Sequence, residues 1–226
     1  MQKKLNRIND LLNSGDLYAG VDDELITYQH ELVERLNQFN STPDTPEGLK
    51  KREEILREAL GTYGDGLYII PPIYANWGLK NVHVGKNVIF NFNVCLVDDA
   101  DIFIGDDCLI GPGCHIITAQ HPISPMLRKG EDKLQYNKPI HLGNNVWLGA
   151  GVIVLPGVTI GDNSVIGSGS VVTKDIPGSV VTHSVGSNVI VAGTPAKVLR
   201  QITEKDNQIY DGKKPIPEEI IEKYMK

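Results

Sequence analysis

One histidine in this chain stands in a setting that suits proton transfer. His121 lies in the sequence Gln120-His121-Pro122, near the start of an insertion, residues 118–139, that interrupts an otherwise regular repeat. Loops that project from a rigid scaffold often carry functional residues, and a free imidazole titrates near pH ~6.5. His121 is therefore predicted to act as a general base that takes a proton from a hydroxyl group.

The remaining histidines are predicted to be surface residues. His83, His115 and His141 each directly precede the first residue of a repeat, so we expect their side chains to point outward. His30 lies in the polar N-terminal region, and His183 lies in a later insertion.

The cysteines do not suggest a nucleophile or a metal site. Cys108 and Cys114 occupy repeat positions that face inward, and Cys95 occupies an outward one. A thiol nucleophile needs a base beside it, and no local residue provides one. Three cysteines without zinc-ligand spacing indicate reduced thiols and a cytoplasmic protein, with no metal required.

A repeat of six residues, here called a hexad, runs through the middle of the chain. The first residue of each hexad is aliphatic, except for one phenylalanine. These first positions are Val84, Phe90, Leu96, Ile104, Ile110, Ile116, Leu142, Leu148, Val154, Ile160, Ile166 and Val172.

The fifth residue of each hexad is small or medium-sized. These positions are Val88, Val94, Ala100, Cys108, Cys114, Val146, Val152, Val158, Ser164, Ser170 and Ile176. Two inward residues in every six, with Gly or Asn at the turns, predict a three-sided prism of short strands in which eighteen residues make one coil. The predicted fold is an all-β solenoid whose successive coils stack on one another.

The two ends of the chain differ from this region. Residues 1–62 are polar and show helical spacing, with a break at Ser41–Pro46 and a second helix start at Thr45-Pro46. They are predicted to form a cap of short α-helices on the prism, residues 63–200. Residues 201–226 form a charged tail in which Pro217 is expected in the first turn of a helix.

Composition excludes several classes of function. A formal net charge of −6 argues against a nucleic-acid-binding surface. The N-terminus lacks a signal peptide, and no apolar run is long enough to span a membrane.

Three motifs join the hexads in pointing to a known family. They are 144–149 (Asn-Asn-Val-Trp-Leu-Gly), 156–163 (Pro-Gly-Val-Thr-Ile-Gly-Asp-Asn) and 172–177 (Val-Thr-Lys-Asp-Ile-Pro). With the helical N-terminal region and the insertion, they resemble the hexapeptide-repeat acyltransferases, and more closely the maltose and galactoside O-acetyltransferase group.

The resemblance implies a left-handed parallel β-helix, a hand that periodicity alone does not reveal and that opposes the usual crossover preference. It implies a homotrimer with active sites between neighbouring prisms. It also implies transfer of an acetyl group from acetyl-CoA to a hydroxyl of a small, sugar-like acceptor, with His121 as the base.

The same resemblance places Asn91, Asp99 and Asn76 in the acceptor site. Relatives carry Ser or Asp at the position of Asn76, and Asp or Ser at the position of Gly20. Because both positions depart from the pattern, the identity of the acceptor stays open.

For the cofactor, the resemblance implies contacts along one side of the prism. The implied residues are Trp147, Ala150, Ser168, Thr173, Lys174, Lys197 and Arg200. The backbone N–H of Ala150 is expected to face the developing oxyanion. Residues 185–190 read as one additional hexad, which can displace Lys197 and Arg200 from their expected places.

Three other functions remain open. A xenobiotic acetyltransferase acting on an antibiotic hydroxyl is the nearest alternative. A metal hydratase like the γ-class carbonic anhydrases shares the prism, but the spacing of His115 and His121 does not match that class. A non-catalytic β-helix assembly module would leave His121 and Trp147 unexplained.

Overall fold

Three parallel sheets form the sides of a prism along the repeat region. In this computed structural model, residues 9–19, 23–130, 133–176, 188–210 and 213–225 are described. Sheet 1 contains β3 (Val82–Val84), β6 (Ile102–Ile104), β11 (Ile140–Leu142) and β14 (Thr159–Ile160). Sheet 2 contains β1 (Tyr68–Ile69), β4 (Ile89–Phe90), β7 (Leu109–Ile110), β12 (Trp147–Leu148), β15 (Val165–Ile166) and β17 (Val189–Gly193). Sheet 3 contains β2 (Ile73–Ala75), β5 (Val94–Val97), β8 (His115–Ile117), β13 (Ile153–Val154) and β16 (Val171–Val172).

The chain visits the three sheets in a fixed order and then starts the next coil. Each strand therefore pairs with the strand one coil away, as Trp147 does with Val165 and Ile153 does with Val171. This arrangement of stacked parallel strands fits the predicted left-handed parallel β-helix.

The interior of the prism consists of the residues that the hexads predicted. Every first and fifth position named above is buried, including Cys108, Cys114 and the two serines Ser164 and Ser170. The prediction of which side chains face inward is confirmed.

Three corners join the sheets, and each has its own composition. The corner between sheets 1 and 2 carries residues with positive φ at Asn87, Asp107, Asn145, Asn163 and Asn188. The corner between sheets 2 and 3, here called the glycine corner, has positive φ at Asn93, Gly113, Gly151 and Gly169. The corner between sheets 3 and 1, here called the hairpin corner, comprises residues 98–101, 118–139, 155–158 and 173–175.

Helices cover the first coil. They are α1 (residues 9–14), α2 (Asp23–Ser41) and α3 (Pro46–Ala59). The Thr45 hydroxyl caps α3 by accepting a hydrogen bond from Gly48 N, as its Thr-Pro start suggested. The Asn40 side chain binds both the N–H and the carbonyl of Ile73 and so occupies the open edge of β2.

The insertion at residues 118–139 is not the extended loop that its lack of repeat suggested. Its two ends pair as antiparallel strands, β9 (Ala119–Gln120) with β10 (Tyr136–Asn137). The insertion is therefore a β-hairpin that projects from the hairpin corner, with a 3₁₀ turn at Pro125–Leu127.

After the last coil the chain reverses direction. The strand β18 (Ala196–Gln201) runs antiparallel to β17 at the edge of sheet 2. The tail contains a 3₁₀ turn at Glu204–Asn207 and a helix, α4 (Glu218–Tyr224), for which Pro217 is the N-cap. Half of the additional hexad at 185–190, residues 185–187, lies outside the described residues, and Ile190 continues sheet 2 into a further coil by pairing with Val165. In the described ranges, no helix combines the length and the apolar character needed to cross a membrane.

Candidate active site

His121 sits at the base of the hairpin with one ring nitrogen already engaged. The residue follows β9 and is exposed to solvent. Its Nδ1 lies 2.8 Å from the carbonyl oxygen of Leu134 on the opposite side of the hairpin. A carbonyl oxygen only accepts hydrogen bonds, so this contact requires the hydrogen on Nδ1 in the neutral ring. The Nε2 atom then carries the free lone pair, which is the state that a general base needs.

Asn76 and Asp99 meet at the same corner as His121. The Asn76 Nδ2 atom donates to the Asp99 Oδ2 atom at 2.8 Å. The root of the hairpin rests directly on this part of the coil, since the Thr118 hydroxyl accepts from Ala100 N at 2.9 Å. Burial raises the pKa of the Asp99 carboxyl, and the hydrogen bond from Asn76 offsets part of the rise. An amide and a carboxylate are suitable partners for the hydroxyl groups of a sugar.

Asn91 lies at a different corner. It starts the glycine corner in the second coil, and its Oδ1 atom accepts from Phe92 N at 2.9 Å. A backbone hydrogen bond, from Gly113 N to Phe92 O at 3.1 Å, joins this corner to the equivalent corner of the next coil. The predicted acceptor residues are therefore divided between two corners of one prism.

The residues expected to bind the cofactor follow the glycine corner upward from Asn91. Ala150 and Ser168 occupy equivalent places in successive coils, and Gly169 N donates to Ala150 O at 2.8 Å. A Cβ atom built on Gly113, Gly151 or Gly169 would meet no heavy atom within 4 Å, so the corner has a bare outer surface. Trp147 lies next to this surface on sheet 2, with 52% of the residue exposed.

The cationic candidates stand further along the prism. Thr173 and Lys174 are exposed at the hairpin corner, where the Asp175 carboxylate accepts from Thr159 N. Lys197 and Arg200 are exposed on β18. The Arg200 guanidinium forms two hydrogen bonds with the Asp206 carboxylate, of 2.8 and 2.6 Å, so any phosphate at Arg200 must compete with that carboxylate.

Comparisons with known proteins identify the family of this chain. Residues 139–174 match the family model of the bacterial transferase hexapeptide (six repeats), and residues 12–64 match the maltose acetyltransferase hexapeptide capping motif. The galactoside O-acetyltransferase of Lactococcus lactis subsp. lactis (strain IL1403) is 47% identical over 212 residues, which is 93% of this chain and 96% of the relative. The chain belongs to the maltose and galactoside O-acetyltransferase group of hexapeptide-repeat acyltransferases.

Other members of this acetyltransferase group are also similar along most of the chain. The galactoside O-acetyltransferase of Escherichia coli (strain K12) is 44% identical over 203 residues, covering 90% of this chain and 93% of the relative. A solved structure of a galactoside acetyltransferase in complex with coenzyme A has a TM-score of 0.83 at 37% identity, with 93% and 98% of the two chains covered. A maltose O-acetyltransferase from Clostridium difficile 630 has a TM-score of 0.78, also at 37% identity, with 87% and 97% covered.

In this acetyltransferase, some polar residues near the site escaped sequence analysis. Tyr18, Gln135 and Asn137 form a buried group beside Asp99, and nothing in the local pattern singled them out. Asp98 is fully buried, and the sequence could have predicted this burial. Side chains alternate between the two faces of a strand, so Asp98, two residues after the inward-facing Leu96, is expected to face inward. Gly20, expected near the acceptor, lies outside the described residues.

The described histidines outside the hairpin lie on the outer faces of the sheets and on the cap. As predicted, His115 and His141 are exposed on the outer faces of the sheets. The rings of His83 and His141 stack on either side of Phe103, with centroid distances of 4.7 and 4.8 Å. No group of three or more His, Cys, Asp or Glu side chains among the described residues is placed to hold a metal ion.

Proposed function

We propose that this protein transfers the acetyl group of acetyl-CoA to a hydroxyl of a sugar or glycoside-like acceptor, at sites between the subunits of a homotrimer. The observation that carries the proposal is the contact of His121 Nδ1 with Leu134 O, which leaves the lone pair of Nε2 available at the corner of the prism that also holds the Asn76–Asp99 pair. The proposal of a sugar acceptor is supported by the similarity of the chain to a galactoside and a maltose acetyltransferase. The proposal of acetyl-CoA as the donor is supported by two similar solved structures that contain coenzyme A or acetyl-CoA.

The reaction needs only direct attack. His121 Nε2 takes the proton of the acceptor hydroxyl as the oxygen attacks the thioester carbonyl carbon. The oxyanion that forms is stabilised by the backbone N–H of Ala150, which makes no hydrogen bond within the described part of the chain. Collapse of this intermediate breaks the carbon–sulfur bond, and the departing thiolate of CoA takes the proton from the imidazolium. No acyl-enzyme is required, because a thioester is already activated and positioning provides much of the remaining acceleration.

The division of residues between two corners supports a site shared by two chains. His121 and Asp99 lie at the hairpin corner, whereas Asn91 and Ala150 lie at the glycine corner, with the width of sheet 3 between them. If the hairpin corner of one prism meets the glycine corner of the next, the acceptor-binding candidates of the two chains lie at the same level along the prism axis, and so do the cofactor-binding candidates. Asp99 and Asn91 then face each other in the second coil, and Lys174 and Ser168 face each other near the last.

The outer face of sheet 3 supports the same assembly. Between the two corners it presents mainly apolar side chains, arranged in rows by the parallel register: Tyr74, Val97, Ile117, Ile153 and Val171. A face of this composition is suited to burial against other subunits around a threefold axis. The cysteines Cys95, Cys108 and Cys114 are free thiols, which fits the cytoplasmic location that we include in the proposal.

A direct assay tests the function. Release of the CoA thiol is measured with a panel of sugars, glycosides and antibiotics that carry hydroxyl groups. We expect turnover with sugars, and a fall in kcat of roughly two to four orders of magnitude in His121→Ala with unchanged acetyl-CoA affinity. His30→Ala, which changes an exposed histidine of α2, is the matched control. Turnover of antibiotics alone would point to the xenobiotic class, and a His121→Ala variant with more than about a tenth of the activity would remove His121 as the base.

A further inference from the structure

Tyr18 connects the N-terminal cap to the hairpin that carries His121. Its backbone pairs with Gln135 in both directions, since Tyr18 N donates to Gln135 O and Gln135 N donates to Tyr18 O, each at 3.0 Å. The side chain is buried, with 6% of the residue exposed, in a cluster with Leu12, Leu32 and Trp77. The cap segment thus lies beside the returning strand of the hairpin.

The Tyr18 hydroxyl lies at the centre of a buried polar group. It accepts hydrogen bonds from Gln135 Nε2 and, at 2.8 Å, from Asn137 Nδ2. Asn137 is fully buried and also donates to Leu12 O at 3.1 Å. These two donors use both acceptor positions of the hydroxyl, so its own hydrogen is available for a further acceptor.

The negative charge of the Asp99 carboxylate acts on this hydroxyl. Burial raises the pKa of Tyr18, the two amide donors lower it, and the negative charge of Asp99 adds to the rise. The Gln135 amide is also close enough to the Asp99 carboxylate to offset part of the rise in the pKa of Asp99. One tyrosine therefore contacts or faces groups on the cap, the hairpin and the second coil.

The path from Tyr18 to the base is short. Gln135, held on both its backbone and its side chain, directly follows Leu134, whose carbonyl oxygen accepts the hydrogen of His121 Nδ1. A shift of the strand at Gln135 would move that carbonyl and release the imidazole from its single fixed tautomer.

We propose that Tyr18 is a positioning residue for acetyl transfer, which sets the orientation of His121 through Gln135 and Leu134. The inference rests on the proposed function and deepens it, because it makes the N-terminal cap a part of the transfer machinery and more than a cover for the prism.

The test compares Tyr18→Phe, which removes only the hydroxyl, with Tyr28→Phe, which changes a partly buried tyrosine that packs on the same cluster. We expect Tyr18→Phe to lower kcat/KM for the acceptor by roughly ten- to a hundredfold, since small misplacements of catalytic groups have effects of that size. The affinity for acetyl-CoA and the trimer are expected to stay unchanged, and Tyr28→Phe is expected to retain wild-type kinetics.

A second measurement does not depend on turnover. Nitrogen NMR of histidine-labelled protein reports which ring nitrogen of His121 carries the hydrogen, with His121→Ala identifying the signal. We expect Nδ1–H alone in the wild type and a mixture of tautomers in Tyr18→Phe. The tautomer measurement tests the role of Tyr18 separately from the proposed acetyl transfer, because it gives a result even if no tested acceptor is a substrate.

Wild-type kcat/KM together with a single Nδ1–H tautomer in Tyr18→Phe would overturn the inference. If that variant does not fold, Gln135→Met removes the amide link while leaving Tyr18 in place, and wild-type behaviour of this second variant would overturn it equally.

Discussion

Asn91 and Asp99 belong to one coil but lie at opposite ends of the strand β5 (Val94–Val97) that separates them. This strand alone spans about 10 Å at ~3.3 Å per residue. The two side chains lie at the glycine corner and the hairpin corner respectively, so one chain does not present both to a single small acceptor.

The bare surface of the glycine corner predicts that a large side chain there blocks the cofactor without disturbing the coil. Ser168→Trp places a ring over Gly151 and Gly169, where a Cβ atom added to either glycine would meet no heavy atom within 4 Å. We expect acetyl-CoA affinity, measured by calorimetry, to fall by at least about tenfold through steric exclusion. Lys86→Trp, an exposed position at the corner between sheets 1 and 2, is the control. Equal affinities in the two variants would place the cofactor elsewhere.

Mixing the His121→Ala and Ser168→Trp variants tests whether the site is shared, when activity is assayed at acetyl-CoA concentrations far below the wild-type KM so that each variant alone is nearly inactive. Chains with His121→Ala keep an intact glycine corner, and chains with Ser168→Trp keep an intact base. Trimers co-assembled at equal ratio should recover about a quarter of wild-type activity, the share of interfaces that combine both intact corners. Each parent alone should stay nearly inactive. A mixture no more active than its parents would show that each site is built within one chain.

The tip of the hairpin is expected to wall the acceptor site of a neighbouring subunit. Ile123 and Met126 are 93% and 65% exposed in the single chain, so both apolar side chains are free to contact a neighbouring subunit or its acceptor. Replacing residues 124–132 with a Gly-Ser linker retains β9, β10 and Gln135. We expect acceptor turnover to fall sharply while acetyl-CoA binding and the trimer persist, as judged by calorimetry and light scattering. Normal turnover would assign the acceptor wall to the helical cap instead.

Asp98 predicts a dependence of stability on pH. It is fully buried; its Oδ1 atom accepts from Trp77 N at 2.6 Å, and its Oδ2 atom has no hydrogen-bond partner among the described residues. Burial raises the pKa of this carboxyl from 3.8 to about 7. Between these values the folded chain holds a proton that the unfolded chain releases, so stability is highest below the lower value and falls as pH rises towards 7.

The matched variant for this prediction is Asp98→Asn, which keeps an acceptor for Trp77 N and does not titrate. The stability of the wild type relative to Asp98→Asn should fall between about pH 4 and 7, by at most about 1.4 kcal/mol per pH unit, and level off above. Urea unfolding at one protein concentration measures this difference, because the stability of an oligomer depends on concentration. Parallel stability curves for the two proteins would contradict the assignment of this pH dependence to Asp98.

Local patterns in the sequence were sufficient to predict the interior of the prism and the start of one helix. The aliphatic first positions, from Val84 to Val172, define the interior because a short strand alternates its side chains between two faces. The start of α3 followed from Thr45-Pro46, since a hydroxyl cap and a proline in the first turn are local requirements of a helix.

The arrangement of the hairpin and its partners had no such signal. Ala119–Gln120 and Tyr136–Asn137 are short and lack alternation, and they pair because the cap and the second coil surround them. Tyr18 reaches Gln135 and Asn137 across 117 and 119 positions of sequence. Periodicity reports only on neighbours within a few residues, and it was enough to predict the inward-facing positions of the hexads. The role of His121 as the base was predicted from its place in the insertion and from the family resemblance, and it stays a prediction. The tautomer of His121, the burial of Asp98 and Asp99, and the division of the site between two corners arise from contacts between distant segments, which only the folded chain brings together.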